Sequence, residues 1–164
     1  MKTLYIVRHA KSSWDFPELP DVERPLIEKG INNTKKIIKE LNEKKITVDM
    51  IVSSHAKRAY ETARLMATGI NFPVEKIEVS RHVYQVDRDD IFNIIFSQND
   101  ELDSLMIIGH NPILTQFANL FLNDKIDLLP TSGVISLGFE TDKWIEVIKT
   151  KCKNNFILFP KMLD

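Results

Sequence analysis

Apolar residues fall along this chain in two rhythms. Short runs at Thr3–Val7, Met50–Ser53, Leu105–Ile108, Val134–Phe139 and Trp144–Ile148 have the length and β-branched content of buried strands, and Ile77–Ser80 is a weaker one. Between them the spacing becomes helical. Ile31, Ile37, Ile38 and Leu41 share a face of a helix predicted to end among Asn42–Lys45. Ala59, Ala63, Leu65 and Met66 predict a second, closed near Gly69. A third is expected from about Asp89 to Ser97, and a fourth from Pro112 to Leu122. Buried strands alternating with helices imply an α/β fold, a mostly parallel central sheet covered on both faces, three layers deep. With no repeat or linker, residues 1–164 read as a single domain.

In such sheets ligands sit beyond the carboxyl ends of the strands. The first strand runs into Arg8-His9, the second into Ser53-Ser54 with His55 and Arg58 following, and the Leu105–Ile108 strand into Gly109-His110-Asn111-Pro112. One histidine after a strand is more often structural. Three strand ends delivering two arginines and two or more histidines to one edge point to a site. Arginine binds phosphate oxygens in pairs and keeps its charge. Neutral imidazole is a nucleophile near pH 7 that can carry a phosphoryl group, and a second histidine can donate to the phosphate as charge builds. Gly109 would let the backbone before His110 approach a ligand. Phosphoryl transfer suits this set.

Composition narrows the partners. A formal net charge of −1 gives no bulk attraction to nucleic acid or anionic membrane, so an anion site must be a local gathering of charge. No apolar stretch reaches the roughly 20 residues of a membrane span. Cys152 is the only cysteine, which excludes an internal disulfide and fits a reducing compartment; no arginine follows it, against a cysteine-type phosphatase. The strand begins too early to leave room for a signal peptide, so the cytoplasm is expected, and the absence of an exposed apolar stripe leans toward a monomer. There is no G-x-x-x-x-G-K loop. Asp87–Asp90 reads as a helix start, with Asp87 as cap, in preference to metal ligands, and His82 has no ligand neighbour. Neither a metal nor another cofactor is expected.

Arg8-His9 after an N-terminal strand, Ser54 with Arg58, and Gly109-His110 resemble the histidine phosphatase superfamily, which includes the phosphoglycerate mutases. The segments RHAKSSWD, ERPLIEKG, VSSHAKRAYETA, IIGHNP and PTSGVISL resemble, in order and spacing, the SixA-type phosphohistidine phosphatases. The resemblance implies a phosphoglycerate mutase-like fold, His9 as the nucleophile that becomes phosphohistidine, and Arg8, Arg58 and His110 as the phosphate pocket. It sets Ser54 at the start of the arginine-bearing helix, where an N-cap is its expected role. His55 departs from a common proline and is read as a bystander or a rim residue. Arg24 either orders the loop after His9 or pairs with Asp15 or Asp21.

One departure bears on the substrate. Superfamily members acting on phosphomonoesters use a carboxylate after the third strand to protonate the leaving oxygen, but SRHVYQVDRDD holds no glutamate. Imidazole, with a pKa near 6.5, leaves with little help. Phosphohistidine in a protein is therefore the expected substrate. The alternatives are a small-molecule phosphomonoesterase of the same superfamily, for which Asp15 could supply the acid, or a phosphate- or phosphoprotein-binding module without turnover.

Overall fold

The computed structural model describes residues 1–164, apart from the side chain of Asn154. Six strands form one sheet: β1 (Lys2–Arg8), β2 (Met50–Ser54), β3 (Glu78–Ser80), β4 (Ser104–Gly109), β5 (Val134–Phe139) and β6 (Cys152–Leu158), in the order β3-β2-β4-β1-β5-β6. The first four in that order are mutually parallel, whereas β5 and β6 are antiparallel to their neighbours. Four helices connect them: α1 (Glu28–Glu43), α2 (Lys57–Gly69), α3 (Arg88–Phe96) and α4 (Ile113–Asn119).

Strand alternation sorts the core into two halves. Leu4, Ile6, Leu105 and Ile107 face α3 and α4, where Ile91, Ile95, Leu114 and Phe117 meet them. Tyr5, Val7, Met106 and Ile108 face α1 and α2 and pack on Ile37, Leu41, Ala63 and Met66. Because successive strand side chains point to opposite faces, a continuous apolar run is what a doubly covered strand requires. The expected three layers are present.

One strand assignment at the C-terminal end is corrected, and one strand is added. Trp144–Glu146 is a short helical turn, not part of a strand at Trp144–Ile148. Trp144 and Val147 are buried while Ile145 and Ile148 are exposed, a spacing of three that belongs to helical turns. The Trp144 indole N–H donates to the Leu102 carbonyl at 3.0 Å, which satisfies its one polar atom. The last strand is β6. Its sequence, CKNNFIL, is half polar because it is an edge strand, and its pairing with β5 shifts register at Ser136/Leu137.

Two glycines are set by close approach. A Cβ on Gly69 would lie 2.3 Å from Ile38 Cγ2, so this glycine lets α2 pack on α1; the left-handed residue beyond the helix is Asn71, at φ 62°. On Gly30 a Cβ would stand 2.4 Å from the Lys11 carbonyl oxygen. Gly30 thus seats α1 directly on the loop that follows His9. Gly30→Ala should lower stability by about 1–3 kcal/mol through overpacking, more than offsetting the roughly 1 kcal/mol by which alanine favours a helix. Denaturant midpoints would show it, and a stabilised variant would refute the packing argument.

Among the described residues no helix is long and apolar enough to cross a membrane.

Candidate active site

Parallel pairing sets the site. Arg8 pairs with Gly109, and the His9 amide donates to the Gly109 carbonyl at 3.0 Å, so β1 and β4 end level. β2 lies on the other side of β4 and ends at Ser54, four residues before Arg58 in the first turn of α2. The three strand ends therefore converge, and the His9 and His110 rings lie 5.1 Å apart. His9, Arg58 and His110 are buried, and all three line one cavity of about 390 Å³ together with Arg8, Arg24 and Trp14. The four residues singled out from sequence are thus brought together.

Neighbouring segments hold the end of β1 from behind. The Ser132 amide donates to the carbonyls of Arg8 (3.1 Å) and His9 (3.2 Å), with Ser132 itself at φ 62°. The Ser132 and Thr34 hydroxyls are 2.9 Å apart, which ties that loop to α1. From α2, Thr62 Oγ1 accepts the Ala10 amide at 2.9 Å.

His9 Nδ1 lies 2.7 Å from the Ala10 carbonyl. A carbonyl can only accept, so Nδ1 carries the hydrogen and Nε2 keeps its lone pair. Burial drives the His9 pKa from 6.5 down to about 4; the Ala10 bond opposes this, while Arg58, Arg8 and Arg24 add to it. His110 is pushed down to about 3, first by burial and then by His9 and Arg58. Both rings are neutral at pH 7. Unfolded histidine takes its proton near 6.5, so from pH 6.5 down to about 4 for His9 and about 3 for His110 the unfolded chain binds protons that the fold refuses. Stability conferred by the neutral rings is complete above pH 6.5 and falls across that window as pH falls. Imidazole NMR titration should show both rings uncharged at pH 5; midpoints near 6.5 would reject it.

Ser54 corrects an expectation. The α2 cap position is Ala56, and no side chain caps the helix. Ser54 Oγ instead lies 2.8 Å from His110 Nε2 and accepts the Ala56 amide at 3.2 Å. On its other side, His110 Nδ1 is 3.4 Å from Arg58 Nη2, which can only donate. The Nδ1 lone pair faces Arg58 and Nε2–H points to Ser54. A hydroxyl both donates and accepts, so Ser54 can support either His110 tautomer. Gly109 also has a different role: a Cβ there would meet Val83 Cγ1 at 2.7 Å, so the space serves core packing.

Asp21 is the residue that sequence reasoning underrated. Its Oδ2 accepts from Arg58 Nη2 at 3.0 Å and from the Tyr84 hydroxyl at 2.6 Å, and its Oδ1 accepts from Arg24 Nε at 3.1 Å. Partial burial alone would raise its pKa, but Tyr84, Arg58 and Arg24 together hold it at about 2. Asp21 is an anion at neutral pH. Arg24 also donates to Ser12 Oγ at 2.7 Å and stacks under Trp14 at 3.6 Å, so both readings of Arg24 hold: it pairs with Asp21 and it orders the loop after His9. The sequence hint was the spacing Asp21–Arg24; nothing marked Tyr84.

The remaining candidates lie apart. Asp15 is exposed. Asp87 caps α3, accepting from the Asp90 amide at 3.1 Å while the Asp90 carboxylate accepts from the Asp87 amide. His55 packs edge-on against Tyr84 with ring centroids 5.1 Å apart, and its Nδ1 is buried with no partner. His82 is exposed. Among the described residues no group of three or more His, Cys, Asp or Glu is placed to hold a metal. Arg8 Nε and Arg58 Nε are buried without a hydrogen-bond partner.

Residues 4–81 match the model of the histidine phosphatase superfamily (branch 1). An uncharacterized protein of Mycobacterium leprae is 30% identical over 144 residues, spanning 80% of this chain and 86% of that protein. Among solved structures, the putative phosphohistidine phosphatase SixA from Nakamurella multipartitia superposes with TM-score 0.83 at 18% identity, covering 97% of this chain and 96% of that one. The protein histidine phosphatase SixA complexed with tungstate superposes with TM-score 0.82 at 20% identity, covering 99% of each chain. At these identities the structural likeness speaks for the fold, a phosphoglycerate mutase-like one. With its matched motif region, its relative and its strand-end histidines and arginines taken together, this chain belongs to the histidine phosphatase superfamily, branch 1.

Proposed function

We propose that this protein is a metal-independent phosphatase that removes phosphate from phosphohistidine in a protein, through a phosphoryl intermediate on His9. The observation that carries the reading is the His9–Ala10 hydrogen bond: it commits Nδ1 and leaves a neutral Nε2 in a cavity lined by Arg8, Arg58 and His110. Two guanidiniums with buried, unpartnered Nε–H groups suit an oxyanion seated between them. The structurally similar SixA is complexed with tungstate, also an oxyanion.

In the first step the Nε2 lone pair of His9 bonds to phosphorus as the substrate's P–N bond breaks. Arg8 and Arg58 offset the charge on the phosphoryl oxygens. His110 can donate to one of them in its Nδ1–H tautomer, with Ser54 then donating to Nε2. Water afterwards takes the phosphoryl group from His9 and frees the ring. The arginines supply the positive charge that a divalent ion would otherwise bring.

A substrate panel tests the proposal. A phosphohistidine protein, a phosphoserine peptide and a sugar phosphate should be compared with and without EDTA. Phosphohistidine should be turned over fastest, at a rate that the chelator does not alter. Faster hydrolysis of the sugar phosphate would favour a small-molecule phosphomonoesterase. Phosphate binding without release would indicate a binding module, and EDTA-sensitive turnover would reject metal independence.

A further inference from the structure

A second cavity, of about 220 Å³, adjoins the phosphate pocket. The two share Arg58, His110 and Asn111, but His9 and Arg8 line only the first. The second is walled by Asp21, Tyr84, Val86 and Ile113. A phosphoryl group held between His9 and the shared residues would have His9 on one side. In-line displacement sends the leaving group to the opposite side.

We propose that this second cavity is a leaving-group subsite for the imidazole ring of phosphohistidine, with the Asp21 carboxylate accepting a hydrogen bond from the ring nitrogen that does not carry phosphorus. The assignment rests on the phosphohistidine reading above and deepens it. Val86 and Ile113 give the cavity apolar walls, and the Tyr84 ring stands edge-on to His110 at 5.2 Å between centroids, a packing that an aromatic guest can extend. Asp21 has acceptor capacity left. Two donors meet Oδ2 and one meets Oδ1, whereas a carboxylate offers about four lone-pair sites.

The chemistry calls for such an acceptor. When the N–P bond breaks, its electron pair stays on the substrate ring. If the distal nitrogen keeps its proton, the departing group is neutral imidazole; if that nitrogen is bare, the departing group is the far more basic imidazolate. A carboxylate against the distal N–H favours the protonated ring. The same arrangement exists on the receiving side, where His9 Nδ1–H donates to the Ala10 carbonyl. Phosphoryl transfer then runs between two imidazoles, each with its distal N–H held by an oxygen.

The test compares substrates within one protein sample, so a reduced folded fraction cancels. The substrates are a phosphohistidine peptide, phosphoramidate (a P–N bond without a ring) and p-nitrophenyl phosphate (a ring without an N–H). Asp21→Asn disturbs Arg58 as well and should slow all three. It should lower kcat/KM for the peptide by a further factor of about 10 to 100 relative to both others, the scale of a charge-assisted hydrogen bond. Val86→Trp, which fills the cavity, should instead lower both ring substrates by about tenfold or more relative to phosphoramidate. Equal losses across the three substrates in both variants would overturn the subsite while leaving the phosphohistidine reading in place. A wild type that does not act on phosphohistidine would overturn that reading, and the subsite with it.

Discussion

His9→Ala is expected to abolish turnover while leaving the fold intact. In the proposed mechanism the side chain is the nucleophile, and the neighbouring ring is already engaged: Nε2 of His110 faces Ser54 at 2.8 Å, and its Nδ1 faces Arg58. Loss of a nucleophile that acts as a unit with its neighbours costs on the order of 10⁴–10⁶-fold in kcat. Rapid acid-free quenching of the wild type should trap a phosphoryl group that is labile to acid, as phosphohistidine is, and peptide mapping should place it on His9. The variant should trap none. Near-normal turnover by His9→Ala would reject the covalent mechanism. The fold should survive because His9 makes one side-chain bond, to Ala10, whereas the backbone bonds to Gly109 and Ser132 do not depend on the side chain.

The second large effect is on leaving groups. P–N bonds should be cleaved in preference to P–O bonds of ordinary alcohols. A proton donor for an alkoxide is worth about 10²–10⁴-fold, and the carboxylate set beside Arg58 is poorly suited to the task. Asp21, held at about 2, has no proton to give at neutral pH. The Tyr84 hydroxyl is raised above its ordinary value, chiefly because it already donates to Asp21. Asp87 is committed to the α3 cap. Across esters of rising alcohol pKa, rates should fall steeply, with acidic phenols between alkyl esters and phosphohistidine. A flat series would show that an acid takes part. Asp21→Asn would then be the first variant to make, ahead of Asp15→Asn and Asp87→Asn, since Asp21 is the carboxylate bonded to the pocket arginine.

Much of this protein was legible from local pattern. Apolar runs marked strands buried on both faces, because such strands need no polar face. Arg8-His9, Arg58 and His110 stood out because they follow strands where solvent-seeking groups have no structural reason to gather. The failures were also local. Trp144–Ile148 is apolar enough for a strand, and only the neighbours of Trp144, the Leu102 carbonyl and the Asp100 carboxylate, turn it into a helical corner. No continuous apolar run spans β6, because one side of an edge strand is left to water. Ser54 had the right residue type for a cap and the right place before a helix, yet its hydroxyl is taken by His110, 56 residues on.

The sequence by itself determined the α/β architecture and which four side chains meet, because strand periodicity and parallel order send the ends of β1, β2 and β4 to one edge. Tertiary structure alone decided how those side chains are poised. The proton position on His9 depends on one carbonyl 2.7 Å away, and the charge on Asp21 depends on donors from Arg24, Arg58 and Tyr84. Tyr84 lies 63 residues from Asp21 along the chain. Hydrogen bonds and desolvation act over a few ångströms, and residues that close in space can be any distance apart in sequence.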